Sequence, residues 1–188
     1  MALNIKQDIT NCYPIEMATE DFTLSTFKGK LKNGEDTPIG IRISDNEHPL
    51  LFDVYNLSFG PLTSDKQIDD KAKLPHSDHS KLFSTIVFTC MTFLSSNKDK
   101  YLGIDGSNNA RAYLYYRCIQ NNFDYLSQYF LIYGVNYYVR VLRKVNTHDE
   151  YHPMDAEDIV ATPKEIKKEA IVKYDKLYNY FIFRLKNK

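Results

Sequence analysis

The sequence predicts a single α+β domain over residues 1–188, in which a mostly antiparallel sheet carries two or three helices on one face. Between residues 19 and 60, short runs alternate apolar and polar side chains, as half-buried β-strands do. Two later stretches, from about residues 78 and 107, repeat apolar side chains at three- and four-residue spacing, which is typical of amphipathic helices. A chain of 188 residues is also long enough to bury one hydrophobic core.

The first strands are predicted to form an antiparallel meander. Residues 22–31 alternate apolar and polar side chains, and Asn33-Gly34 after them is a strong signal for a tight turn. Ile39–Ile43 continues the sheet, and a second turn is expected at Asp45-Asn46. Residues 50–59 resume the strand pattern until a Gly-Pro pair ends it.

A polar loop and a long helix follow. Residues 63–77 are mostly polar, which indicates a surface loop. Ser77 or Asp78 is then expected to cap a helix that runs to about Leu94. Because its apolar stripe is wide, we expect this helix to pack across the sheet and to be the most buried helix of the domain.

The middle of the chain is predicted as a strand, a turn and a second helix. Tyr101–Ile104 is apolar enough for a short strand, and residues 105–107 form the turn after it. The helix that follows is expected to break at Asn121-Asn122, after which an apolar stripe continues as far as Gly134.

The last third of the chain contains two more alternating runs. Tyr137–Val145 and Asn179–Leu185 each predict a strand. Between them, residues 146–161 form an irregular acidic segment. Thr162-Pro163-Lys164-Glu165 has the residue types of a capping box and therefore predicts the start of a third helix.

Charge and cysteine content limit the classes of partner and compartment. The 24 basic and 24 acidic residues cancel, whereas a dedicated nucleic-acid binder usually carries a basic excess. The most apolar window, Ile86–Leu94, is far shorter than the roughly 20 residues that cross a bilayer. Three cysteines without a Cys-x-x-Cys pair are typical of reduced thiols. We therefore expect a cytoplasmic protein that uses no membrane and whose net charge does not support nucleic-acid binding.

The strongest candidate site lies where the second helix begins. Backbone N–H groups at a helix N-terminus, together with the positive end of the helix dipole, attract anions such as phosphate. Arg111, one turn into the helix, can pair with a phosphate or carboxylate, and Asp105 opposes an anion by its charge. The predicted ligand-binding residues are Gly106, Ser107, Asn108, Asn109, Arg111 and Tyr115. The alternative, in which Ser107 only caps the helix and Arg111 only forms a surface ion pair, stays open.

The sequence predicts no metal and no cofactor. His76 and His79 flank two residues, and His148 and His152 form a His-x-Glu-x-His pattern, which lacks the His-Glu-x-x-His spacing of zinc enzymes. Solvated loop histidines explain both pairs. The sequence also contains no recognisable Ser/His/Asp or Cys/His arrangement, so no catalytic residues are assigned.

Several stretches together resemble a known domain family. They are Val54–Gly60, Gly106-Ser107 with Arg111, Leu114 and Tyr115, Phe130 with Ile132–Gly134, and Tyr178–Lys186. The set is similar to an uncharacterised family found mainly in Bacteroidetes. Its members pair a Tyr-Asn-Leu-x-Phe-Gly stretch with a later Gly-Ser-Thr-x-x-Arg-Thr-Arg-Leu-Tyr stretch, from which Asn108, Ala112 and Tyr113 depart. The resemblance spans about residues 22–186 and implies a shared fold without an assigned activity.

Two classes of function are therefore considered. The lack of a catalytic arrangement in the sequence favours a non-catalytic binding module, whose partner is a phosphate-containing ligand or another protein. The alternative is a small enzyme that acts on a nucleotide or RNA, such as the toxin of a toxin–antitoxin pair. Small size and the arginine- and tyrosine-rich start of the second helix are compatible with this alternative, which rests on analogy.

Overall fold

The computed structural model of the chain describes residues 5–72, 75–106, 108–139, 159–170, 172 and 177–186, with the backbone alone at 138, 139, 159 and 160. These residues form one eight-stranded sheet and three helices, which confirms the predicted α+β class. The strands are β1 (Ile15–Ala18), β2 (Leu24–Lys30), β3 (Asp36–Glu47), β4 (Val54–Pro61), β5 (Tyr101–Asp105), β6 (Phe130–Val139), β7 (Ile159–Glu165) and β8 (Tyr180–Leu185). The helices are α1 (His79–Ser96), α2 (Asn109–Asn121) and α3 (Phe123–Leu126). None of the helices in the described residues is long and apolar enough to span a membrane.

The sheet has the strand order β1-β2-β3-β4-β5-β8-β6-β7. Neighbouring strands are antiparallel, except that β4 and β5 are parallel. Parallel strands need a crossover connection, and α1 lies in this one. The strand nearest the C-terminus, β8, lies between β5 and β6 and so joins the two halves of the sheet.

The two faces of the sheet bury different sets of side chains. Because side chains alternate along a strand, Leu102 and Ile104 of β5 face the helices, whereas Gly103 and Asp105 face away. The main core lies on the helix side and includes Phe27, Ile39, Ile41, Ile43, Leu57, Leu82, Ile86, Phe93, Leu94, Leu102, Ile119 and Phe181. A smaller cluster on the other side contains Leu51, Val54, Val135, Tyr180 and Ile182.

Two predictions about the second half of the chain are wrong. Gly134 does not end a helical stripe but lies inside β6, opposite Phe181 of β8. The predicted capping box, residues 162–165, lies in β7, where Pro163 is paired with Val135. Because β7 is the last strand of the sheet, a proline without an N–H group is tolerated there.

The predicted turn at Asp45-Asn46 is also wrong. These residues lie within β3 at an irregularity, where the register with β4 shifts between Ile43 and Glu47, and the chain turns only after this point. The alternative in which Ser107 caps the second helix is wrong, because Asn108 is the cap of α2. The other predictions for Ser107, those for the pair His148 and His152, and those for residues 140–158 fall outside the described residues.

Candidate functional site

The first turns of α1 and α2 lie at the same edge of the sheet. As a crossover between the parallel strands β4 and β5, α1 runs back against their direction, so its first turn lies near the ends of both strands. Helix α2 starts at Asn109, shortly after β5 ends at Asp105. The topology therefore brings two helix N-termini together.

Each of these helices begins with a side-chain cap. Asp78 Oδ1 accepts the N–H of Lys81 at 2.9 Å, and Asn108 Oδ1 accepts the N–H of Arg111 at 3.0 Å. Asp78 is thus one of the two caps expected for α1, and Asn108 is the cap of α2. The caps leave the N–H groups of the first two helical residues without a partner inside the helix.

A pocket of about 370 Å³ opens between the two first turns and is termed the Arg111 pocket. Its polar lining residues are Asp70, His76, His79, Asn108, Arg111 and Tyr115. Its apolar lining residues include Ile39, Phe59, Leu82, Phe83 and Leu114. The volume lies within the range of about 300–1,000 Å³ found for small-molecule sites, which combine apolar walls with a few polar groups in this way.

The charges around Arg111 have mixed sign. Burial raises the pKa of Tyr115 to about 12, against the opposing effect of the Arg111 guanidinium, so its hydroxyl stays neutral. The Asp105 side chain is solvent-exposed, yet partial desolvation and the nearby Asp70 carboxylate raise its pKa, while Arg111 and His48 act in the opposite direction. A ligand of this pocket therefore meets one guanidinium and the carboxylate of Asp70.

The two histidines of the pocket are neutral near pH 7. Burial lowers the pKa of His76, and burial with the nearby Lys32 lowers that of His79. The His76 side chain is 8% exposed, and its buried Nδ1 has no hydrogen-bond partner among the residues that the structure describes. Its ring meets that of His79 edge-on at a centroid distance of 5.9 Å. Within the part of the chain that is described, no three His, Cys, Asp or Glu side chains are grouped so that they could hold a metal ion.

The structure divides the residues of the predicted anion site between two pockets. Asn108, Arg111 and Tyr115 line the Arg111 pocket. Gly106 and Asn109 line a second pocket of about 300 Å³, which Asn108 also borders. The Gly106 N–H donates to the carbonyl of Asn179 at 2.8 Å and is not available to a ligand. Ser107 lies outside the described residues.

Sequence reasoning did not place Asp70, His76 and His79 in one pocket with Arg111. These three residues come from the predicted loop 63–77 and the start of α1, about 30 to 40 positions before Arg111. The loop packs so closely against β4 that a Cβ on Gly60 would lie 2.2 Å from the Asp69 carbonyl oxygen. The glycine was visible in the sequence, but its contact depends on the folded chain.

Comparison with family models places the chain in a family. Residues 11–154 match the model of DUF6934, which is described as a family of unknown function. No curated protein and no solved structure matches the chain. The match includes every residue that lines the Arg111 pocket, and it confirms the uncharacterised family expected from the sequence.

Proposed function

The chain belongs to DUF6934, a family of unknown function, and we propose that it is a non-catalytic binding module for a small ligand with an anionic group. The Arg111 pocket is the proposed site. The observation that carries the proposal is the meeting of one guanidinium with the first turns of two helices in a single pocket. A phosphate or carboxylate group on the ligand satisfies both features.

The physical argument begins with the helix ends. Each helix N-terminus behaves like roughly half a positive charge and offers N–H groups that point along the helix axis. For α1 these are the N–H groups of His79 and Ser80, and for α2 those of Asn109 and Ala110. Arg111 adds a full charge and a planar fork of donors that suits phosphate and carboxylate oxygens.

The remaining lining residues indicate the rest of the ligand. Phe59 and Phe83 meet edge-on at a centroid distance of 6.0 Å and provide apolar surface beside the charged end. The Asp70 carboxylate accepts hydrogen bonds, so it favours a ligand that also carries a hydroxyl or amino group. A nucleoside monophosphate combines these features and is a suitable probe.

The proposal is tested by titrating inorganic phosphate and adenosine monophosphate into the ¹⁵N-labelled protein. We expect the amide signals of His79 and Ala110, which lie in the first turns of α1 and α2 and line the pocket, to shift. Arg111→Gln should weaken binding about 10- to 150-fold, because a hydrogen bond to a charged group contributes about 1.5–3 kcal/mol.

Arg117→Gln is the matched control on the same helix. The Arg117 guanidinium lies 5.7 Å from the Tyr113 ring centroid and does not line the pocket, so this variant should bind like the parent. If phosphate and the nucleotide shift none of these amides, or if both variants bind alike, the Arg111 pocket is not an anion site.

A small enzyme that acts on a nucleotide remains the second candidate. One observation favours it: the neutral imidazoles of His76 and His79 line the same pocket, and a neutral imidazole can accept a proton. Under this alternative, bound nucleotide or RNA is converted to product, and His79→Gln abolishes turnover while binding persists. A binding module leaves the nucleotide unchanged, and its induced expression does not arrest bacterial growth.

A further inference from the structure

A second polar cluster lies on the sheet face opposite the helices. Tyr180 donates its hydroxyl proton to Asn56 Oδ1 at 3.1 Å. The His48 ring lies nearly parallel to that of Tyr137, at 8° and a centroid distance of 6.0 Å, and 5.0 Å from the Tyr180 ring. The Tyr137 hydroxyl oxygen and His48 Nε2 are 3.0 Å apart. Four polar side chains from four strands or turns are thus joined by hydrogen bonds and ring contacts.

The contacts of His48 determine which way its hydrogen bond runs. The Leu50 N–H donates to His48 Nδ1 at 3.2 Å, so Nδ1 carries no proton. In the neutral ring the proton is therefore on Nε2, which donates it to the Tyr137 oxygen. The Tyr137 hydroxyl oxygen therefore accepts a hydrogen bond from His48, and the hydroxyl O–H can donate a second hydrogen bond to another group.

The Tyr137 side chain lines a pocket in which a ligand could accept this hydrogen bond. Tyr137 lines the pocket of about 300 Å³ that also contains Asp105, Gly106, Asn108, Asn109, Ala112, Leu177, Tyr178 and Asn179, termed the Asp105 pocket. The pocket lies at the start of β8, where Tyr180 is paired with Asp105 on one side and Val135 on the other. Asn179, the residue before β8, continues both contacts: its N–H donates to the Val135 carbonyl at 3.0 Å, and its carbonyl accepts the Gly106 N–H at 2.8 Å.

Within the described residues, the Asp105 pocket contains one donor and one acceptor that have no hydrogen-bond partner. The Asp105 carboxylate accepts no hydrogen bond from the described residues, and the Tyr137 proton is not donated to any of them. Desolvation raises the pKa of Tyr137 to about 12 and lowers that of His48, so both groups are neutral near pH 7. The charges that act on Asp105 are those of Asp70, Arg111 and His48 when protonated.

We propose that the Asp105 pocket binds a ligand group that presents a hydrogen-bond acceptor beside an N–H donor, as a primary carboxamide or an amino-substituted nucleobase does. The acceptor of this group receives a hydrogen bond from the Tyr137 hydroxyl, and its N–H donates a hydrogen bond to the Asp105 carboxylate. A carboxylate or phosphate is disfavoured because Asp105 repels it, and a simple cation leaves the Tyr137 donor unmatched. This site lies outside the Arg111 pocket and does not depend on the function proposed for it.

The test uses three probes that differ at this one group. Nicotinamide presents the acceptor and the donor, N,N-dimethylnicotinamide lacks the donor, and nicotinate carries a negative charge. We expect nicotinamide to shift the amide signals of Gly106, Asn109 and Asn179, and the other two probes to bind at least about tenfold more weakly. Cytidine, which presents the same edge on a nucleobase, distinguishes a nucleobase ligand from a carboxamide by its relative affinity.

Matched variants separate the two contacts. Tyr137→Phe keeps the ring and should weaken nicotinamide binding about three- to tenfold, and Asp105→Asn about tenfold or more, since the latter removes a charged acceptor. Tyr133→Phe, on the same strand but lining a different pocket, should bind like the parent.

Three results would overturn the proposal. The first is binding of neither nicotinamide nor cytidine to the Asp105 pocket. The second is equal binding by the parent and Tyr137→Phe, or equal affinity for nicotinamide and its dimethyl derivative. The third is a ¹⁵N spectrum of His48 with the proton on Nδ1, because that tautomer would leave Nε2 as the acceptor of the Tyr137 proton.

Discussion

The segment that carries Asp70 packs directly on Gly60 of β4, where there is no room for a side chain. One added methyl group should therefore disturb the Arg111 pocket. A Cβ on Gly60 would lie 2.2 Å from the Asp69 carbonyl oxygen and 2.7 Å from the carbonyl carbon. Both atoms belong to the backbone, and no side-chain rotation can relieve the contact. The segment around Asp69 and Asp70 must instead move away from β4.

The size of the effect follows from this displacement. Restoring an ordinary contact distance requires the segment to move by roughly 1 Å. This movement breaks the hydrogen bond from the Asp69 N–H to the Pro61 carbonyl, now 3.0 Å long, which contributes about 1 kcal/mol. Overpacking adds about 1–3 kcal/mol. Gly60→Ala should therefore lower the free energy of unfolding by about 2–4 kcal/mol and the melting temperature by roughly 4–16 °C.

Thermal denaturation followed by circular dichroism measures the loss of stability, and phosphate titration measures the pocket. Gly34→Ala is the control: Gly34 has a φ of +88° and no atom within 4 Å of its added Cβ, so this variant bears only backbone strain of about 1–2 kcal/mol. Its affinity for phosphate should equal that of the parent, whereas Gly60→Ala should bind more weakly. The reasoning fails if Gly60→Ala is as stable as the parent or binds phosphate equally well.

Two further predictions concern the core and the histidines. Ile86 is 4% exposed, so Ile86→Ala should lower the free energy of unfolding by about 2–5 kcal/mol in urea denaturation. Phe88 is 42% exposed, so Phe88→Ala should change it by no more than about 0.5 kcal/mol. Equal losses in the two variants would contradict the packing of α1. Burial lowers the pKa of His48, His76 and His79, so the unfolded chain binds protons more readily and the free energy of unfolding falls as the pH drops below about 6.5. The His48→Gln variant should lose less stability between pH 7.5 and 5 than the parent, and an identical pH dependence of the two would refute this assignment.

The sequence predicts those elements in which the local pattern and the tertiary contacts agree. Helix α1 is an example, because Asp78 caps it and because Leu82 and Ile86 repeat along the face that packs on the sheet. The reverse holds for residues 162–165, whose capping-box pattern is local. Pairing of this segment with β6 overrides that local preference, and no feature of the four residues themselves reveals it.

Of the candidate sites, the sequence could predict only the residues that lie together on a single helix. Arg111 and Tyr115 are four positions apart on α2, so helical spacing alone places them side by side. His76 and His79, which line the same pocket, come from a different segment, and His48 and Tyr137, which contact each other, are 89 positions apart. Contacts of this kind depend on strand order, which local periodicity does not encode.

The strand order explains why two different pockets lie beside one helix N-terminus. The parallel pair β4 and β5 requires a crossover, which contains α1. The crossover places the first turn of α1 beside the first turn of α2, so the N-terminal ends of both helices border the Arg111 pocket. Strand β8 begins at Tyr180, opposite Asp105, and the carboxylate of Asp105 faces away from the helices beside the Asp105 pocket. Asn108 lies in the lining of both pockets, so one cap residue lies between the site proposed for an anionic group and the site proposed for a neutral donor and acceptor. The two sites can be told apart by their amide signals: Asn109 lines the Asp105 pocket and not the Arg111 pocket, so its signal should shift with nicotinamide, whereas His79 and Ala110 line the Arg111 pocket and not the Asp105 pocket, so theirs should shift with phosphate.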